Sequence, residues 1–230
     1  MESIVRGSES MQRLDGQILR PVTRRIAAAP AVLVAIACAT TIAARAADGP
    51  PSVAAVQQIG QVSLRGIDGK QHSPDEWRRS KAIVLFFIGT ECPVSNGYAP
   101  DMQRIATKYA PSAVVCYGVH CDPTTTTAIA AGHAKEYGLS FSIWLDPQQT
   151  LARATAVRVT PEAVVVAPSG KVLYRGRIDN RYATNGKRRD DPTVLDLENA
   201  LDRVVAGAEP AISQTTAFGC PLPTLKPEAR

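Results

Sequence analysis

The residues of this 230-residue chain best suited to chemistry are its five cysteines, and their settings differ. Cys92 stands between a continuous apolar run, Ala82 to Ile88, and a proline, Pro93, that fits the first position of a helix. An N-cap cysteine faces unpaired backbone N–H groups and the positive end of the helix dipole, which favour a thiolate over a thiol. A thiolate is the nucleophile of disulfide exchange and of peroxide reduction. Glu91 opposes this by bringing a negative charge alongside. Cys116 sits inside a second apolar run and reads as core, Cys121 falls just past that run, and Cys220 lies in a proline-rich tail. Cys38 belongs to an apolar leader. The other four cysteines allow three full pairings, and spacing does not choose among them. Nor does the spacing read as zinc: only His120 lies between Cys116 and Cys121, and no second pair follows at finger spacing. His120 and His133 read as core or surface histidines. We find no signature of a cofactor or of a resident metal.

The elements that must position these residues follow from hydrophobic pattern and punctuation. Val62 to Leu64 and the Asp68-Gly69 turn suggest a short hairpin, and Ser73 could cap a short helix from Pro74. Ala82 to Ile88 reads as a strand buried on both faces. A helix from Pro93 to Tyr109 follows, then a strand from Ala113 to Val119 and a helix from Thr124 to Tyr137 that stops at Gly138. Ser140 to Leu145 is a strand and Gln148 to Ala156 a helix. Ala163 to Val166 and Val172 to Arg175 make a hairpin around Pro168 to Lys171. Asp179 to Asp191 is a polar loop whose Lys187-Arg188-Arg189 is balanced by Asp190-Asp191, and Pro192 to Val205 is the last helix. Strands alternating with helices imply parallel β-α-β units, and the hairpin adds antiparallel strands. The expected fold is α/β, one central mixed sheet with helices on both faces, and reactive groups gather beyond the carboxyl ends of its strands.

Composition bounds the function classes. With 45% apolar and 20% charged residues the chain can bury a core. Its net charge of +5 is mostly local: the first 46 residues carry six arginines (Arg6, Arg13, Arg20, Arg24, Arg25 and Arg45) against Glu2, Glu9 and Asp15. The rest is nearly neutral, which removes the electrostatic case for nucleic acid. Arg24-Arg25, the uncharged stretch Ile26 to Ala43 and the small-residue site Ala44-Arg45-Ala46 read as a signal peptide over residues 1–46, cleaved before Ala47. Residues 47–58 are then a linker, 59–206 the folded domain and 207–230 an extended tail rich in proline. The expected location is periplasmic or secreted, with membrane association only if the leader is retained or lipidated.

The run Phe86-Phe87-Ile88-Gly89-Thr90-Glu91-Cys92-Pro93-Val94-Ser95-Asn96, followed by Tyr98-Ala99-Pro100, resembles the exported redoxin branch of the thioredoxin-like superfamily, relatives of the alkyl hydroperoxide reductase/thiol-specific antioxidant proteins. Val119 to Pro123, Leu145-Asp146-Pro147, Val159-Thr160-Pro161-Glu162, Tyr174 to Asn180 and Gly219-Cys220-Pro221 fit in the same order, from about Val56 to Pro221. The resemblance implies a thioredoxin-like fold with Cys92 as the reactive cysteine. It also implies that Thr160-Pro161 is a substrate-binding loop whose cis-proline faces that cysteine. Its placement makes Cys220 resemble a C-terminal resolving cysteine, with Cys121 the rival. Two departures matter: Ser95 replaces the second cysteine of a dithiol thioredoxin, and Thr90 precedes Cys92 by two residues where typical peroxiredoxins place a threonine three before. The expected activity is an exported thiol-disulfide oxidoreductase acting through Cys92, with protein thiols or disulfides and an unidentified reductant as partners. The alternatives are a peroxiredoxin-like thiol peroxidase using peroxide, a copper-binding module and a protein-binding module. Copper would require soft sulfur ligands close together, which Ser95 disfavours.

Overall fold

The computed structural model describes residues 59, 62–182 and 187–225. The leader (1–46) and the linker (47–58) lie outside the described residues. Nine strands and four α-helices follow one another among the described residues: β1 (Leu64–Gly66), β2 (Gln71–His72), β3 (Ala82–Ile88), α1 (Pro93–Tyr109), β4 (Val114–His120), α2 (Thr127–Glu136), β5 (Ser142–Leu145), α3 (Thr150–Ala154), β6 (Val159–Thr160), β7 (Glu162–Val166), β8 (Val172–Gly176), α4 (Asp196–Val205) and β9 (Cys220–Pro221). Seven strands form one sheet in the order β2-β1-β5-β4-β3-β7-β8, and β6 with β9 forms a separate pair. β3 is parallel to β4, and β4 to β5, while β7 and β1 run antiparallel to their neighbours. The mixed α/β sheet expected from the alternation of elements is therefore present.

The uninterrupted apolar run of β3 has a direct cause. Its alternate residues feed two cores. Ala82, Val84, Phe86 and Ile88 pack with Tyr98, Met102 and Ile105 of α1, Ala130 of α2 and Leu197 and Leu201 of α4. Ile83, Leu85 and Phe87 pack on the other face with Trp77, Leu151 and Val164. Helices thus cover both faces, as the pattern implied.

Several boundaries shift where side chains take over backbone groups. The last helix starts at Asp196, not Pro192, because Asn180 Oδ1 accepts from the N–H groups of Thr193 and Val194 at 2.9 and 3.1 Å. α2 starts at Thr127 rather than Thr124: Asp122 Oδ1 takes the Thr124 N–H at 2.7 Å, and Thr126 caps Ile129. α3 is shortened by Asp146, whose two oxygens accept from Thr150 and Ala152, and by Gln149 in the left-handed region at φ 52°. Ser73 precedes a 3-10 turn, Pro74–Arg79, without a side-chain cap. The described part of the tail, up to residue 225, is tied down at several points. Arg175 N–H donates to Ser213 O at 3.0 Å and Arg175 O accepts from Thr215 N–H at 3.1 Å, beside β8, and Leu222 N–H donates to Arg158 O at 2.9 Å. Gly176, at φ 153°, lies so close to Thr215 that any Cβ there would collide with it.

Candidate functional site

The carboxyl ends of β3 and β4 open onto one cleft, of about 150 Å³, lined by Gly89, Thr90, Glu91, Cys92, Cys121, Asp122, Thr160, Cys220 and Leu222 among others. Cys92 follows β3 and is the N-cap of α1, with Pro93 at the first helical position. It is 4% exposed. Its Sγ accepts from the Ser95 N–H at 3.4 Å and lies 3.0 Å from the Thr160 carbonyl, to which the thiol form donates. Ser95, where a second cysteine is missing, serves the site otherwise: its hydroxyl accepts from Gly89 N–H at 3.3 Å and braces the turn. The Thr160–Pro161 peptide bond is cis.

β6 brings Thr160 to the cleft, and β9 pairs antiparallel with it, Thr160 opposite Cys220 and Val159 opposite Pro221. This pairing sets the Cys220 thiol against the Cys92 thiol. Both are free in this structure. Burial alone would push the Cys92 thiol up. Hydrogen bonds from the Cys220 thiol, the Ser95 N–H, the Thr160 side chain and the Cys220 N–H outweigh it and hold Cys92 below its ordinary value. Cys220 is the mirror case: burial, and its donation to Cys92, push it up to about 11. The pair is asymmetric, one sulfur ready to lose its proton and the other holding on to it.

The remaining cysteines are placed differently. Cys116 is buried in the core between sheet and helices, and burial pushes its thiol up to about 12. Cys121 does reach the cleft, on the side the strand ends predict. Its Sγ is 3.9 Å from Asp146 Oδ2, and burial followed by that carboxylate's charge raises it well above the ordinary thiol value. His120 and His133 are both buried, with rings 5.1 Å apart. Burial, reinforced by His133, lowers His120 to about 4, so it is neutral. His133 meets Asn96 Oδ1 at 3.0 Å, and Asn96 donates to the Thr90 carbonyl, so the histidine supports the turn that carries Cys92.

Residues to which the sequence reading gave no role complete the site. Gln149 donates to both Cys121 O and Pro223 O, at 3.2 and 2.7 Å, and so links the β4 end to the tail. Gly219 packs against Thr160 so closely that a Cβ would run into its carbonyl. Glu162, buried directly after Pro161, accepts from Arg158 N–H at 3.2 Å and faces the buried Arg175 at 3.5 Å, bracketing β6 from behind. Of these, Gly219 and Glu162 lay inside the motifs Gly219-Cys220-Pro221 and Val159-Thr160-Pro161-Glu162, whereas Gln149 carried no signal in the sequence.

The model of the AhpC/TSA family matches residues 56–175, just over half of the chain. The chain belongs to the AhpC/TSA family. Among curated proteins, the thiol-disulfide oxidoreductase ResA of Halalkalibacterium halodurans is 26% identical over 93 residues, 40% of this chain and 52% of the relative. The chain thus spans about half the length of that relative. Similar solved structures include a hypothetical protein of Sinorhizobium meliloti 1021 (TM-score 0.64, 24% identity, covering 72% of this chain and 92% of that one). An uncharacterized conserved protein of Geobacillus kaustophilus has TM-score 0.65 and 24% identity, over 75% of this chain and 93% of that one. The thioredoxin domain of a thiol-disulfide oxidoreductase from Bacteroides vulgatus has TM-score 0.50 and 15% identity, over 64% of this chain and 95% of that one. These likenesses identify the fold of this AhpC/TSA member as thioredoxin-like. Among the described residues no helix is long and apolar enough to cross a membrane.

Proposed function

We propose that this AhpC/TSA-family protein exchanges thiols and disulfides, with Cys92 as nucleophile and Cys220 as resolving thiol. The observation that carries the reading is geometric: the β6–β9 pairing brings the Cys220 thiol into hydrogen-bonding contact with the Cys92 sulfur at the start of α1. The Cys92 thiolate attacks one sulfur of a substrate disulfide, and the other sulfur leaves as a thiolate. Cys220 then attacks Cys92 Sγ in the mixed disulfide; its proton passes to a departing thiolate and the second substrate thiol is released. The substrate gains two electrons, the protein ends with a Cys92–Cys220 disulfide, and an external dithiol reduces it again. Thr160 and Pro161 border the reacting sulfur on the substrate side. The kinship with ResA, a thiol-disulfide oxidoreductase by name, supports the reaction class. The charged, apolar and Ala-x-Ala succession of residues 1–46 supports export to an oxidising compartment, where sequencing of the mature N-terminus should begin at or near Ala47.

The deciding experiment compares wild type with Cys92→Ser for turnover of a disulfide and of hydrogen peroxide, with dithiothreitol as reductant. Disulfide turnover that vanishes in the variant is the expected result. Turnover of peroxide alone would make the protein a peroxidase, and no turnover of either in wild type would overturn the enzymatic reading.

A further inference from the structure

β6 is a two-residue strand outside the main sheet, and β9 is its partner there. Without β9, the backbone of Val159 and Thr160 would present an open edge directly above the Cys92 sulfur. An open edge of this kind is where an extended peptide adds as a further strand, its main chain giving affinity and its alternate side chains specificity. The chain fills that edge with its own segment. Cys220 lies opposite Thr160, Pro221 opposite Val159, and Leu222 continues the ladder with its bond to Arg158 O. The fit is tight on the near side, where only a glycine can stand at position 219. On the far side Gln149 holds the Pro223 carbonyl. The occupant therefore has three traits of a bound substrate: extended conformation, strand pairing beside the nucleophile, and a cysteine facing it.

We infer that Gly219 to Leu222 is a resident pseudosubstrate. It occupies the position on β6 that a cysteine-bearing polypeptide would take, so a polypeptide disulfide reaches Cys92 only by displacing it. A small disulfide, which needs no strand pairing, enters through the cleft beside Thr90 and Glu91 with the tail in place. The inference rests on Cys92 being the nucleophile. Its energetic basis is competition: a segment tethered to its own docking edge has an effective concentration on the order of millimolar, which a free peptide at micromolar levels cannot match.

The test uses Cys220→Ser as background, so that every reaction stops at the mixed disulfide on Cys92. Reduced protein is mixed with bis(2-hydroxyethyl) disulfide or with a ten-residue disulfide-linked peptide, and adduct formation is followed by mass. Deleting 219–230 in place of Cys220→Ser should raise the peptide rate by roughly tenfold or more while changing the small-disulfide rate by less than about threefold. The full-length double variant Gly219→Ala/Cys220→Ser should shift the peptide rate the same way and speed hydrogen exchange at the Leu222 amide, which keeps the test valid if the truncated chain fails to fold. Equal acceleration of both probes would reduce the tail to a simple shield and overturn the inference, as would no acceleration of the peptide. Absence of any Cys92 adduct with either probe in all variants would instead remove the reading of Cys92 on which it rests.

Discussion

Two pairs of cysteines divide the molecule. Cys116 sits within β4, paired with Val84 of β3, and Cys121 just past the end of the same central strand. Cys92 sits where α1 begins, and Cys220 lies in the two-residue strand that pairs with β6. Both Cys92 and Cys121 line the same cleft, and both are almost wholly buried. Yet burial leaves Cys121 a firmly held thiol and does not do so for Cys92. What separates them is what points at the sulfur. Around Cys92 stand the Ser95 N–H, the Cys220 N–H and the Cys220 thiol, whereas Cys121 faces the Asp146 carboxylate. Exclusion from water disfavours a thiolate everywhere; only directed donors reverse it. Burial and position in the cleft are therefore poor guides to reactivity without the donor census.

Four measurements can break or sharpen that contrast. The largest effect belongs to Cys92→Ser, which should reduce disulfide turnover by at least about a thousandfold, because an alcohol offers almost no anion at neutral pH. Cys121→Ser should leave turnover within about threefold of wild type, and a collapse comparable to that of Cys92→Ser would erase the distinction drawn above. Next is the identity of the partner. Mild oxidation should join Cys92 to Cys220 within one chain, visible as linked tryptic peptides under non-reducing conditions. The link should persist in Cys121→Ser and disappear in Cys220→Ser; the opposite pattern would make Cys121 the partner.

The third measurement is the pH dependence of iodoacetamide labelling, mapped by peptide. The rate follows the thiolate fraction, so it rises as pH climbs through each thiol's own value. Cys92 should pass its midpoint below the ordinary 9.0, and Cys116 should resist until pH approaches about 12. In Cys220→Ala the Cys92 sulfur loses a donor while remaining buried, so its midpoint should move up and its labelling at pH 7 should slow. A midpoint that does not move would show that the helix turn alone activates Cys92. The smallest effect is on stability. Cys116→Ala leaves a hole among packed core residues and should cost about 1 kcal/mol in urea unfolding, while Cys220→Ala, half-exposed on the tail, should stay within about 0.5 kcal/mol.

Much of this site was legible one residue at a time. The bounds of β3 and α1 coincide with the apolar run Ala82 to Ile88 and with Pro93 to Tyr109, because a strand buried on both faces and a proline-started helix leave local marks. The N-cap role of Cys92 follows from those two elements meeting. The shifts came where a distant or loop side chain claimed backbone groups: Asn180 at the start of α4, Asp146 at α3. The buried Glu162 and Arg175 were visible as residues but not as neighbours, since nothing in their own surroundings announces that β7 and β8 turn them toward each other.

Local sequence therefore determined the setting of Cys92, the proposed nucleophile: its type, its strand-turn-helix position and the helix dipole at its back are written within about ten residues, and they act over the range of one helical turn. The proposed resolving partner is a different matter. Cys220 meets Cys92 because β9 pairs with β6 and because Ser213 to Thr215 first binds the tail alongside β8. Those contacts are made by backbone N–H and C=O groups, which every residue but proline carries alike, so the pairing leaves no signature in residue type beyond the glycine at 219. The four prolines of the tail, Pro210, Pro221, Pro223 and Pro227, indicate an extended chain, and an extended chain can lie free in solvent or dock on an edge. Only the tertiary structure, by leaving β6 outside the main sheet beside the Cys92 sulfur, decided where that extended segment goes.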